Sequence, residues 1–139
     1  MADPHRRWTI RGEAVSDLIA HARDAQPSEC CGLLIGAPGH ILEVRRAANL
    51  AESPTRFLLD PRTHVEAIRD CRCRGLDVVG FYHSHPHTQA VPSPTDLAEA
   101  TYGEHCHIIV SLASAVPDAR LYALRRGHFV EWPLDTVEG

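Results

Sequence analysis

Gly80-Phe81-Tyr82-His83-Ser84-His85-Pro86, followed after six residues by Ser93-Pro94-Thr95-Asp96, is the stretch on which the reading of this chain turns. Residues 76–83 are apolar and rich in β-branched and aromatic side chains, which predicts a buried strand. Side chains alternate along a strand, so His83 and His85 point to one face. Pro86 cannot extend the ladder and closes the strand. Ser93-Pro94 supplies a cap and a first-turn proline, which opens a short helix with Asp96 in its first turn. The helix dipole favours a negative charge there. The loop over 86–92 is long enough to fold that turn back over the strand end. Two His and one carboxylate form a catalytic zinc set that leaves the fourth position for water.

Outward from this stretch, the chain alternates short strands and helices. Residues 8–11 read as a strand. Over 13–26, apolar residues at 15, 18, 19 and 22 give helical spacing with one buried face, and Pro27 stops the helix. Residues 30–36 form a dense apolar run fit for a buried strand. Ala37-Pro38-Gly39 turns the chain, and 40–46 returns as its partner. Residues 56–59 read as a weaker strand. Asp60-Pro61 opens a second helix, with Val65 and Ile68 marking its buried face and Gly75 ending it. Residues 106–112 form another apolar strand. Residues 120–124 and 128–132 flank Arg125-Arg126-Gly127 as a closing hairpin. No repeat or linker interrupts this order, so residues 1–139 read as one α+β domain, a curved mixed sheet flanked by helices.

Bulk properties narrow the function. With 44% hydrophobic residues, the chain buries a core without staples. A net charge of −4 and the lack of any like-charge run argue against nucleic acid, which needs a concentrated basic face. The Arg pairs at 6–7, 45–46 and 125–126 read as solvated surface. The chain contains no Lys, and all 14 basic residues are Arg, as a GC-rich bacterial coding genome would produce. No stretch approaches the roughly 20 apolar residues of a membrane span. The first residues lack the apolar core of a signal peptide, so a cytoplasmic location is expected. In that compartment the five Cys (30, 31, 71, 73, 106) are expected as free thiols.

Plainer readings stand beside the metal site. Among ten His, a His-x-His pair arises by chance. Asp96 can serve simply as a helix-start acid, and Ser93 simply as a cap. His5, His21, His40, His64, His105, His107 and His128 read as surface or core residues. His105-x-His107 has the spacing of the proposed pair but no carboxylate at a following helix start. His87, in the loop beside the pair, stands as an occasional ligand. Cys30 and Cys31 begin an apolar strand, which favours small buried side chains over a reactive thiol. Whether Cys30 reaches the metal is left open. Cys71-x-Cys73 falls on a helix, where residues two apart do not face each other.

The pattern His83-x-His85-Pro86, six residues, Ser93, two residues, Asp96 resembles that of the JAMM (MPN-plus, JAB/Mov34) zinc metallopeptidases. These also carry a Glu before an apolar strand, a place matched here by Glu29 in Ser28-Glu29-Cys30-Cys31-Gly32-Leu33-Leu34-Ile35-Gly36. The resemblance extends over roughly residues 10–125. It implies a cytidine-deaminase-like α+β fold, Zn2+ on His83, His85 and Asp96, Glu29 as general base, and Ser93 as donor to the oxyanion. It also implies cleavage of peptide or isopeptide bonds after ubiquitin-like modules. Small stand-alone members of this length resemble processors of β-grasp sulfur carriers ending in Gly-Gly. The chain lacks room for the insertions with which larger deubiquitinases position ubiquitin.

Three other functions share parts of this pattern. A non-catalytic MPN scaffold typically loses the His pair or the Asp. A nucleoside deaminase needs His-x-Glu and Pro-Cys-x-x-Cys elements that are missing here. A phage-tail-type or cell-wall peptidase uses the same zinc set and differs only in substrate.

Overall fold

The computed structural model of the chain describes residues 7–99 and 105–138. In chain order these form β1 (Trp8–Arg11), α1 (Gly12–Ala25), β2 (Cys31–Ala37), β3 (His40–Ala47), α2 (Pro61–Arg74) and β4 (Asp77–His85). There follow α3 (Pro94–Glu99), β5 (Cys106–Ser111), β6 (Asp118–Arg125), β7 (His128–Trp132) and β8 (Leu134–Val137). His5 and Arg6 lie outside the described residues.

The strands with the longest buried runs, β2 and β4, sit side by side in the middle of one sheet, ordered β7-β6-β5-β4-β2-β3-β1-β8. β2 pairs antiparallel with both β3 and β4, whereas β4–β5, β1–β3 and β1–β8 are parallel. The sheet is therefore mixed, as expected of the α+β JAB/MPN fold. β7 and β8 occupy opposite edges, yet only Pro133 separates them in the chain. The Trp8 amide donates to the Pro133 carbonyl at 3.1 Å. One residue can join two edges only if the sheet curls round on itself.

One face of the curled sheet holds the main core. Ala14, Leu18 and Ala22 of α1 bury against Ile10, Leu34, Tyr82, Ile108 and Leu121. Each such large side chain contributes about 1.5–3 kcal/mol. Tyr82 crosses over Gly32, where a Cβ would lie 2.3 Å from its ring. Its hydroxyl meets Nδ1 of His21 at 2.7 Å, which ties α1 to β4. The other face carries Leu33, Phe81, His83 and His85, and α2 packs there through Ala67.

Two expectations are corrected, and one strand is added. Val65 and Ile68 do not mark the buried face of α2; they are 49% and 37% exposed, and Ala67 and Cys71 are buried instead. Small side chains four apart let the helix approach Leu33 and Phe81 closely, with the His64 ring edge-on to Phe81 at 5.3 Å. Residues 56–59 do not form a strand. They make one isolated bridge, Asn49 to Leu59, because the Asn49 side chain takes backbone groups that a ladder would use. β8 was not anticipated, since its partner β1 lies at the other end of the chain.

The remaining boundaries follow their punctuation. Asp60 Oδ1 accepts from the Arg62 amide at 3.0 Å, Pro61 opens α2, and Gly75 ends it with φ 69°. Arg126 and Gly127 both have positive φ, as a tight hairpin turn requires. All five Cys are free thiols. Among the described residues, no helix is long and apolar enough to cross a membrane.

Candidate metal centre

β4 ends where its alternation matters most. His83 and His85 lie on one face of its last turn of pleat, and Ser84 between them points to the other. The Ser84 hydroxyl accepts from the Cys30 amide at 2.8 Å, and the Ser84 amide donates to the Cys30 carbonyl at 3.0 Å. This pairing continues the β2–β4 register, in which Cys31 faces His83. Glu29 lies just ahead of β2, two residues before Cys31. It is buried, and its charge acts on the His85 ring.

The loop after Pro86 is pinned by three successive carbonyls. Thr88 O accepts from Ser111 Oγ at 2.5 Å, Gln89 O from His85 Nδ1 at 2.8 Å, and Ala90 O from the Tyr122 hydroxyl at 2.5 Å. The chain then enters α3 through a reciprocal cap. The Asp96 amide donates to Ser93 Oγ at 3.0 Å, and the Ser93 amide donates to Asp96 Oδ2 at 2.9 Å. Ser93 is thus a helix cap, and its own hydroxyl proton takes no part in that bond. The spacing Ser-x-x-Asp has this local reason before any catalytic one.

The cap delivers Asp96 to the strand end. Asp96 Oδ2 lies 3.0 Å from His85 Nε2 and 3.2 Å from His83 Nε2, and the two nitrogens are 3.2 Å apart. These three are the group of donors able to hold a metal among the described residues. His87 is exposed and outside that group, and Cys30 packs into the core of the opposite face. Because the Gln89 carbonyl can only accept, His85 Nδ1 carries its proton. In the neutral ring, Nε2 then presents a lone pair toward the carboxylate. Converging lone pairs of this kind need a cation between them. Zinc with ligand bonds of about 2.0–2.1 Å spaces tetrahedral ligands by roughly 3.3 Å, close to the observed triangle. The donor set therefore fits zinc.

The three groups also shift one another's titration. Burial raises the Asp96 carboxyl, but the bonds from His83 and His85 outweigh it and hold the group well below the usual carboxylate range. Burial pushes the His83 ring down, only partly offset by Asp96. For His85 burial acts the same way, but the bonds to Asp96 and Gln89 outweigh it and raise the ring. Burial also lifts Cys30 to about 11 and Cys31 to about 12, far from thiolate reactivity at neutral pH.

Several site residues were missed by sequence reasoning. Phe57 stacks on the His83 ring with centroids 4.5 Å apart and planes 22° from parallel. Asn49, Ser111 and Tyr122 hold the loops around the centre. None lies in a recognisable motif; the only cue is that Asn49 is the sole Asn in the chain.

Comparison with known proteins places this geometry. The pattern of the prokaryotic homologs of the JAB domain matches residues 12–125. A desampylase of Haloferax volcanii is 32% identical over 124 residues, covering 84% of this chain and 86% of its own. The CysO-cysteine peptidase of Mycobacterium tuberculosis is 33% identical over 132 residues, covering 93% and 90%. A Desulfitobacterium hafniense protein solved in solution superposes with a TM-score of 0.87 at 32% identity, covering 94% and 93%.

Proposed function

The chain belongs to the prokaryotic JAB domain family, and from that premise we propose that it is a zinc metallopeptidase acting on a ubiquitin-like β-grasp sulfur carrier. It hydrolyses the peptide or isopeptide bond after the carrier's C-terminal Gly-Gly. The observation that carries the reading is the buried triangle of His83, His85 and Asp96, with buried Glu29 near enough for its charge to act on His85. The names of the two relatives, a desampylase and a CysO-cysteine peptidase, support the class of substrate.

His83, His85 and Asp96 would hold the ion. Zinc in such a set supplies Lewis acidity and lowers the pKa of a bound water to about 7. Glu29 takes the proton of the attacking water and returns it to the leaving amine. The Ser93 hydroxyl, whose proton the cap leaves available, donates to the oxygen that becomes negative on the scissile carbonyl. An extended tail is recognised most economically by strand addition, and close to the metal only Gly-Gly avoids crowding.

Mass spectrometry of β-grasp carriers extended beyond Gly-Gly is the test. Release of the added residues by the parent protein, and about 10²–10⁴ slower release by Glu29→Gln with zinc retained, is the expected result. Replacing the last Gly by Ala should slow cleavage strongly. Equal cleavage of unrelated peptides would instead indicate a general peptidase and remove the carrier assignment.

A further inference from the structure

A side-chain amide has two N–H donors and two acceptor lone pairs. Asn49 uses all four, and every partner is backbone. Its Nδ2 donates to the carbonyls of Glu29 at 3.0 Å and Arg56 at 3.2 Å. Its Oδ1 accepts from the amides of Ala51 at 3.0 Å and Leu58 at 2.9 Å. Arg56 and Leu58 flank Phe57, so the amide grips the chain on both sides of the ring that stacks on His83. The third grip is on Glu29 itself, whose amide donates to the carbonyl of Ser53 in the same segment at 2.8 Å. The segment from 49 to 59 has no ladder of its own beyond the Asn49–Leu59 bridge.

We propose that Asn49 is a positioning residue that locks the Glu29 backbone and the Phe57 wall of the metal centre to one another. The proposal rests on the assignment of Glu29 as base and His83 as ligand. No other residue type meets the four-bond requirement at this reach. Asp offers acceptors only, Gln is one methylene too long, and Ala makes none of the bonds. Loss of the clamp frees two groups at once. Glu29 loses the hydrogen bond that fixes its backbone carbonyl, and Phe57 loses its fixed place on His83. A displacement of about 1 Å at a reacting group costs on the order of 10²-fold in rate. Because all four bonds of the amide stay within the chain, KM should move less than kcat.

The experiment compares Asn49→Asp, Asn49→Ala and Glu29→Gln in the full chain as purified. Asn49→Asp keeps the acceptor for Ala51 and Leu58 but turns a carboxylate toward the carbonyls of Glu29 and Arg56. It should lower kcat at least about tenfold while KM moves less than about threefold and zinc content stays at the parent's level. Asn49→Ala should in addition speed amide exchange at Ala51 and Leu58 about tenfold, which Asn49→Asp should not. A merely structural role would lower melting temperature without the split between kcat and KM. Parental kcat in Asn49→Asp beside an inactive Glu29→Gln overturns the clamp and leaves the base standing. Parental kcat in Glu29→Gln overturns the base assignment, and with it the catalytic half of this proposal. Amide exchange then decides the rest, because unchanged protection in Asn49→Ala shows that the grip on the segment is absent.

Discussion

One methyl group at position 32 probes whether the packing between β2 and β4 sets the geometry of the metal centre. In Gly32→Ala the new Cβ would lie 2.3 and 2.4 Å from two Tyr82 ring carbons and 2.4 Å from the Arg45 carbonyl oxygen, where ordinary contact begins at 3.4 Å. All three must retreat by about 1 Å. The carbonyl belongs to β3 and moves only with the strand. The ring is fully buried, and its hydroxyl is held by His21. With no cheap escape, the cost sits at the upper end of overpacking, about 3 kcal/mol. For a chain of this size that lowers the melting temperature by roughly 10 °C. Tyr82 precedes His83 directly, and Gly32 lies three residues after Glu29, so relief between the strands also moves Glu29 against His83. Turnover well below the melt should therefore fall about 10²-fold. Gly39→Ala is the control: its φ is +85° but nothing lies within 4 Å of the new Cβ. It should cost only about 1 kcal/mol and leave turnover intact. Calorimetry and carrier cleavage read both. A Gly32→Ala protein that melts and turns over like the parent would refute the packing argument.

Asp96→Ala removes the carboxylate and half of the reciprocal cap, so zinc content should drop markedly and chelation should abolish parent activity; metal analysis that finds no zinc, and no rescue on adding it, would sink the metal reading. His21 is half-buried, and burial together with the Arg46 charge pushes its ring down to about 4 from 6.5 in the free side chain. Between those values the unfolded chain binds more protons, so stability is fully present above about pH 6.5 and falls as the pH drops toward 4. His21→Gln, which keeps a partner for Tyr82, should flatten the pH dependence of urea melts in that window by up to about 1 kcal/mol per unit, discounted for the partly exposed ring; parallel slopes would show that His21 does not cause the effect. Single Cys→Ser variants should retain turnover, and alkylation near pH 7 should label exposed Cys73 first, because burial lifts the Cys30, Cys31 and Cys106 thiols; loss of turnover in a folded, zinc-bound Ser variant would restore a thiol to the chemistry.

The legible part of this chain is local. Pro86 announces the end of β4, Ser93 and Pro94 the start of α3, and Asp60, Pro61 and Gly75 the limits of α2, because each acts on backbone within a turn of itself. The two imidazoles follow from strand alternation alone. Even the third ligand needs only the reciprocal cap, since Ser93 and Asp96 are brought together by their own four-residue segment. What was illegible depends on partners distant in sequence. Val65 and Ile68 were expected in the core on hydrophobicity, but the face of α2 that packs is chosen by how closely it can approach Leu33 and Phe81, and Ala67 and Cys71 allow the closer approach. β8 takes its place from β1, and residues 56–59 lose theirs as a strand to a single amide.

The same division separates the ligands from their surroundings. A metal centre needs donors at fixed separations, and a strand, a tight loop and a cap set those separations with little outside help. Its protection and the aim of its base need atoms drawn from elsewhere: a ring from position 57, hydroxyls from 111 and 122, an amide from 49. These residues have no spacing rule relative to His83, because the sheet register brings them near. Ser111 reaches the loop only because β5 runs parallel to β4 with His85 beside Ser111. On the proposed roles, His83, His85 and Asp96 answer for metal binding, whereas the rate also depends on Glu29, Ser93 and the residues that place them. A variant set confined to His83, His85 and Asp96 would therefore measure how an ion is held there. Substitutions at Asn49, Phe57 and Tyr122 should leave zinc content near the parent's and change turnover, and zinc loss in all three would show that the surroundings serve the ion rather than the reaction.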